Sequence, residues 1–278
     1  MIAFDTIVLG GGGMKCIATL GAIQYMYDYG CPHKIRKYSG TSAGSMICLL
    51  LIVGYTPIEL VVYICTQRVV ESLLPADIVS LIKGCGALAF EKIERHIRKM
   101  VSIKLGKDVV TLKELHELTD KTLICATYNM TKNACEYVSF ETHPDLDCVT
   151  AVRMSSSIPI VFAECIVNGD LYLDGGVVDN FPISVVKPDD TVFGCVLFTK
   201  YDRLDKNRII GLLRIVTSVS SNFYIQRMIS TYTAAKILTI FLENTDVFDF
   251  ELTSVTRLDL FSKGYNSAVE FFKNSTNK

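Results

Sequence analysis

A short apolar run, Ile7-Val8-Leu9, is stopped by four consecutive glycines, Gly10 to Gly13, and a helical pattern follows at once. In that pattern Ile17, Leu20, Ile23 and Tyr27 fall on one face. Strand, glycine turn and helix is the opening move of an α/β domain, because the helix can pack back on the strand it leaves. A second unit of the same kind follows. It passes through Tyr38, turns between Gly40 and Gly44, and continues as an apolar helix from Ser45.

The 278 residues, half of them apolar, can bury a large core and read as one domain over 1–278 without repeats or low-complexity segments. The 28 Lys and Arg nearly cancel the 29 Asp and Glu, so no global basic field exists to hold nucleic acid. Ten cysteines without a C-x-x-C pair argue against zinc and against a small disulfide scaffold, and predict reduced, buried thiols in a cytoplasmic setting. The stretch Met46 to Val53 is too short to span a bilayer and fits a buried helix. No signal peptide or lipid-anchor signal is expected.

Thr56-Pro57-Ile58-Glu59 and Thr111 with Glu114 are capping boxes that predict two helix starts. Between Glu91 and Lys107, Ile93, Ile97, Met100 and Ile103 recur at helical spacing, with Lys92, Arg95, Arg98 and Lys99 on other faces. That basic face is either simply solvated or placed near the substrate entrance against a membrane. Leu123 to Thr127 and Glu136 to Phe140 predict paired strands around Lys132-Asn133, while Leu171 to Leu173 and Thr191 to Phe198 predict two more. The last 70 or so residues read as mainly helical.

Gly40-Thr41-Ser42-Ala43-Gly44 has the form G-x-S-x-G, a serine on a tight strand-to-helix turn with small neighbours. The alternative is a glycine turn with a solvent-facing serine. The run Gly10 to Gly13 lacks the G-K-[ST] of a phosphate loop, since Met14-Lys15-Cys16 follows, and lacks the third glycine of a dinucleotide fingerprint. It is either a set of bare amides aimed at an anion or a tight turn needing positive φ. Asp174 ends an apolar strand before Gly175 and Gly176, with Asp170 and Asp179 as rival carboxylates. The histidines are His33, His96, His116 and His143, and none follows Asp174. The Ser, acid, His order of an α/β-hydrolase triad is therefore impossible with Asp174 as the acid.

Taken together, Gly11-Gly12-Gly13-Met14-Lys15, Gly40-Thr41-Ser42-Ala43-Gly44, the stretch Ala151 to Pro159, and Asp174-Gly175-Gly176 with Asn180 and Pro182 resemble the patatin-like phospholipase family. The resemblance covers about residues 5 to 182 and implies a three-layer α/β/α fold with a largely parallel central sheet. It implies a lipid acyl hydrolase with Ser42 as nucleophile and Asp174 as base, working through an acyl-enzyme. The oxyanion hole would come from the loop Gly11, Gly12, Gly13 and Met14. A phospholipid or other acyl-ester lipid would be the substrate, with peripheral membrane contact and with no metal or cofactor. The alternatives are an acyltransferase on the same site, or a catalytically inactive lipid-binding or protein-binding module. Two features depart from the family pattern: Cys16 stands where glycine is usual, and Lys34 to Tyr38 is unusually charged for a buried strand.

Overall fold

The computed structural model describes residues 3–30, 34–67, 90–159, 161–200, 221–243 and 252–276. Strand β1 (Thr6–Leu9) leads through a 3₁₀ turn at Gly13–Lys15 into helix α1 (Cys16–Asp28). Strand β2 (Lys37–Thr41) feeds α2 (Ala43–Ile52), then α3 (Pro57–Thr66). Helices α4 (Glu91–Leu105) and α5 (Leu112–Thr119) precede strands β3 (Thr122–Asn129) and β4 (Ala134–Val138). Helix α6 (Cys148–Ser155), strands β5 (Cys165–Val167), β6 (Asp170–Asp174), β7 (Val192–Lys200) and β8 (Lys236–Glu243), and helix α7 (Ser254–Thr276) follow.

The sheet runs β5-β6-β3-β2-β1-β7-β8, with β4 paired to β3. Strands β3, β2, β1, β7 and β8 are mutually parallel, whereas β4 and β6 pair antiparallel with β3, and β5 pairs antiparallel with β6. The expected largely parallel sheet between helical layers is thus present. β1 is buried on both faces, which is why it reads as an unbroken apolar run. Ile7 and Leu9 enter the main core with Phe193, Cys195 and Leu197, under α1, α2 and α7. Val8, Val196 and Phe198 enter a smaller core on the opposite face with Phe181, Ile183 and Ile225.

Both capping boxes form: the Thr56 and Thr111 hydroxyls accept from the amides of Glu59 and Glu114, whose carboxylates return the bond. The charge before the elbow is accommodated at the mouth of β2. Arg36 pairs with Asp120 outside the sheet, and Lys37 pairs with Asp190 at 2.6 Å. Tyr38 is then the first fully buried residue of the strand.

Four expectations need revision. The C-terminal third contributes a strand, β8, whose Leu238, Ile240 and Leu242 alternate into the core. Strand β5 was not anticipated, although Asn168-Gly169, both at positive φ, is the turn that folds it onto β6. Ile103 is exposed in the last turn of α4, so the buried stripe of that helix ends at Met100 and Val101. Arg98 does not face outward: it chelates Asp147 and reaches Glu94, tying α4 to the start of α6. No single described helix is long and apolar enough to cross a membrane; α2 and α3 together reach that composition but are bent by 120°.

Candidate active site

The register of the sheet brings the elbow and the aspartate together. On β3, Ala126 lies opposite Thr41, the last residue of β2, and the next residue, Thr127, lies opposite Asp174, the last residue of β6. Consecutive residues of one strand therefore set where Ser42 and Asp174 begin. Ser42 leaves β2 with φ 54° and ψ −128°, a left-handed backbone that an L-residue holds only when its surroundings force it. Part of that force is packing: at Gly44 a β-carbon would meet the Leu9 carbonyl at 2.5 Å. Helix α2 is thereby drawn against the end of β1, and a larger residue would push the elbow out.

Polar contacts fix the rest of the turn. Ser45 Oγ donates to the Ser42 carbonyl at 2.6 Å, Thr41 Oγ1 donates to the Asp179 carbonyl at 2.8 Å, and the Ser42 amide donates to Ser155 Oγ at 3.0 Å. Ser42 is 7% exposed and Asp174 5% exposed.

The Asp174 amide donates to the Ser157 carbonyl at 2.9 Å, and its Oδ1 accepts the Gly176 amide at 2.7 Å. Burial pushes the Asp174 carboxyl up from 3.8 to about 6, against the lowering effects of the Ser42 side chain and the Gly176 amide. Oδ2 is buried and accepts no bond of ordinary hydrogen-bond length among the described residues. The Ser42 hydroxyl acts on the carboxylate, but from beyond a closed bond, a spacing common in ligand-free catalytic sites.

The rival carboxylates are occupied. Asp170 is bound by Lys132 at 2.7 Å and by Asn129 at 3.0 Å. Asp179 is saturated by Tyr137, Ser184 and the Phe181 amide.

The glycine loop lies against Ser42, since a β-carbon on Gly11 would sit 3.1 Å from Ser42 Cβ. Its amides divide into two sets. Gly10 donates to the Cys195 carbonyl at 3.0 Å, and Gly11 donates to the Asn180 carbonyl at 3.1 Å while Asn180 Nδ2 donates back to Gly11 at 3.3 Å. Gly11 is thus corrected from an anion donor to an anchor. Among the described residues no backbone carbonyl takes the amides of Gly12, Gly13 or Met14. Gly13 has φ 55°, so the turn and the open amides coexist in one loop. Cys16 packs beside this loop with its thiol toward the Gly10 carbonyl, and burial pushes that thiol up to about 12.

Ser42, Gly13 and Met14 open onto a cavity of about 170 Å³ enclosed by α1, α2, α3 and α4. Its walls are almost wholly aliphatic, and its polar features besides Ser42 are Ser156 and a Tyr63–His96 pair joined at 2.8 Å. Helix α4 does line the cavity, through Ile93, His96, Ile97 and Met100, with Lys92, Arg95 and Lys99 exposed beside it. Reading the sequence missed Ser155, whose hydroxyl touches the amide of Ser42, the clasp of Asn180 on Gly11, and the place of His96 on the cavity wall. The run Met154 to Ser157 was visible as a pattern, but a contact between residues 113 positions apart leaves no local signal. His116 and His143 lie elsewhere, bonded to the Lys121 carbonyl and to Thr142, and His33 falls outside the described residues.

A serine at a strained strand–helix elbow and a buried carboxylate thus stand at the ends of the two strands that flank β3 in a largely parallel α/β sheet. The patatin-like phospholipase pattern matches residues 7–187, and the chain belongs to that family. A protein of Invertebrate iridescent virus 6 described as a probable lipid hydrolase is 30% identical over 275 residues, covering 95% of this chain and 88% of the relative. The uncharacterized YqhO of Bacillus subtilis is 26% identical over 295 residues, covering 97% and 98%. Among solved structures, VipD from Legionella pneumophila is similar with a TM-score of 0.61 at 16% identity, over 98% of this chain and 67% of VipD. ExoU from Pseudomonas aeruginosa, solved in complex with SpcU, gives 0.58 at 15% identity, over 98% and 52%.

Proposed function

We propose that this protein hydrolyses acyl esters of lipids by a Ser42–Asp174 dyad. The observation that carries the reading is the junction of a reactive and an apolar surface at one residue: the strained, buried Ser42 faces a carboxylate with an unspent oxygen and opens onto an aliphatic cavity suited to an acyl chain. Asp174 accepts the Ser42 proton as Oγ attacks the ester carbonyl. The oxyanion is held by the amides of Gly12, Gly13 and Met14, which no backbone carbonyl takes among the described residues. Asp174 returns the proton to the leaving alcohol; it then deprotonates a water that attacks the acyl carbon, the bond to Ser42 Oγ breaks, and Asp174 gives the proton back to Oγ as the fatty acid leaves. Family membership and a relative described as a lipid hydrolase point the same way. An alkyl fluorophosphonate should label the wild-type chain and fail to label folded Ser42→Ala, with lysophospholipid or phospholipid hydrolysis lost in parallel. Labelling that survives in Ser42→Ala would place the nucleophile elsewhere.

The substrate is proposed to be met at a bilayer, with Lys92, Arg95 and Lys99 of α4 facing an anionic surface beside the cavity. Arg98 is removed from the set because Asp147 and Glu94 hold it. Charge reversal at the three exposed positions should weaken co-sedimentation with anionic vesicles and spare hydrolysis of a small soluble ester. Unchanged binding would end the idea.

A further inference from the structure

Two residues at the C-terminal end of α6, Ser155 through its hydroxyl and Ser157 through its carbonyl, hold the main chains of both members of the dyad. Ser155 Oγ accepts the Ser42 amide at 3.0 Å and donates its own proton to the Ala126 carbonyl at 2.6 Å. Two positions on, the Ser157 carbonyl accepts the Asp174 amide at 2.9 Å. The same strand receives both ends, because Ala126 pairs with Thr41 and Thr127 pairs with Asp174. Thr127 Oγ1 closes the frame, lying 2.9 Å from the Leu173 carbonyl and 3.1 Å from that of Met154. At the other end of α6, Asp147 caps the helix through the Thr150 amide and is chelated by Arg98.

We propose that the Ser155 hydroxyl is a positioning residue, which sets the distance between the Ser42 hydroxyl and the Asp174 carboxylate by clamping the nucleophile's amide to β3. The proposal rests on the hydrolase reading above and assigns it a third side chain.

A hydroxyl is suited to this place because it accepts and donates at once, and here it does both while fully buried. Without it the Ser42 amide would be buried and unpaired, at a residue whose backbone already lies in the left-handed region. The turn would relax to recover a bond, and the Ser42 Oγ would move with it. Displacement of a reacting group by about 1 Å costs roughly 100-fold in rate. Substrate binding has no reason to change, since Ser156, not Ser155, lines the cavity.

The test compares Ser155→Ala with wild type, with Ser155→Thr, which keeps the hydroxyl, and with Ser157→Ala. The last variant loses a side-chain bond to the Arg153 carbonyl but keeps the carbonyl that holds Asp174. Ser155→Ala should lower kcat by roughly 10- to 100-fold with KM nearly unchanged. The acid limb of its kcat profile should move to higher pH, because the Ser42 side chain, which lowers the Asp174 carboxyl, has withdrawn. Ser155→Thr should recover most of kcat, and Ser157→Ala should stay near wild type.

A purely structural Ser155 would lower Tm while leaving kcat per folded molecule and the acid limb in place; that result overturns the proposal. If Ser155→Ala does not fold, Ser155→Cys, whose thiol bonds weakly, carries the same expectation, and failure of both to fold also decides for a structural role. The two readings fail separately. Hydrolysis that persists in Ser42→Ala removes the dyad itself, whereas Ser42-dependent hydrolysis with a normal Ser155→Ala removes only the clamp.

Discussion

Asp174 and Asp179 sit five residues apart at the two ends of one loop; both are buried, and burial raises both carboxyls. Their hydrogen bonding separates them. Asp179, 2% exposed, has both oxygens taken: Oδ1 by the Phe181 amide at 3.1 Å, Oδ2 by the Tyr137 hydroxyl at 2.7 Å and Ser184 at 3.4 Å. Asp174 has one oxygen taken by Gly176 and the other buried without a closed bond among the described residues, with the Ser42 side chain acting on the carboxyl. Burial alone does not make a base. Unspent acceptor capacity beside a hydroxyl does, because a proton must have somewhere to go.

The largest effect expected from this contrast is on rate. Asp174→Asn should lower kcat/KM on the order of 10⁴-fold, approaching the loss in Ser42→Ala, and the double variant should be hardly worse because the two groups act as a unit. If Asp174 is the base, as proposed, its ionised carboxylate is the active form, so kcat/KM should fall as pH drops through about 6 and level off above it. Retention of near-normal turnover in folded Asp174→Asn would break the comparison at once.

The next effect is on stability, and it has the opposite sign. A carboxyl raised from 3.8 to about 6 binds its proton more tightly folded than unfolded. Its contribution to stability is therefore fully present below pH 3.8 and is lost as pH rises through about 6. Above that range the ionised group burdens the fold by roughly 3 kcal/mol at most. Asp174→Asn, dead or nearly so, should be more stable than wild type in urea at pH 8, with the gap closing by pH 4. An equal gap at both values would mean that the carboxyl is not raised.

Asp179→Asn should reverse the pattern with a smaller amplitude. It replaces an oxygen that accepts two hydroxyls by an amide nitrogen that cannot accept, which costs about 1–3 kcal/mol. Its carbonyl still takes Thr41 Oγ1 and its neighbour Asn180 still clasps Gly11, so kcat/KM per folded molecule should change little. Urea denaturation together with active-site titration separates the two quantities.

What could be read in advance follows the range of the interaction. The opening strand and glycine turn, the capping boxes at Thr56 and Thr111, and the elbow are local patterns, each enforced by residues within about one turn of each other. The end of β6 was nearly located because its apolar run stops at Asp174. The Asn168-Gly169 hairpin and the period-two alternation of β8 are equally local, but the second is a short segment beyond β7, where the described residues are otherwise mainly helical. Other features had no local trace. Arg98 has the same spacing as Lys92 and Arg95, and only the arrival of Asp147 from α6 turns it inward. The spent amide of Gly11 depends on Asn180, and the clamp on Ser42 depends on Ser155. Ser42 and Asp174 themselves are legible as local patterns, whereas the groups that hold them arrive from distant sequence.

The smallest expected effects are at the histidines, and they guard the comparison against a different base. Among the described histidines only His96 shares the cavity with Ser42, so it is the rival to exclude. Its Nδ1 is joined to the Tyr63 hydroxyl at 2.8 Å, and neither Ser42 nor Asp174 is among its hydrogen-bond partners. Burial, then Lys99 and Arg95, lower its pKa, so it stays in the neutral form that a base requires and must be excluded by geometry rather than by charge. His116 stacks on Phe140 at 4.0 Å between centroids, and His143 stands 4.0 Å from Glu136, so both are occupied away from the elbow. Alanine at any of these three should leave kcat on a small soluble ester within about threefold. His96→Ala alone should shift KM for a long-chain lipid, because it removes part of the cavity wall without touching the dyad. Measured kcat and KM for the three variants, on short and long acyl chains, decide the matter. If His96→Ala lowers kcat as far as Asp174→Asn on the short ester, the base is the histidine, and the open oxygen of Asp174 does not accept the Ser42 proton.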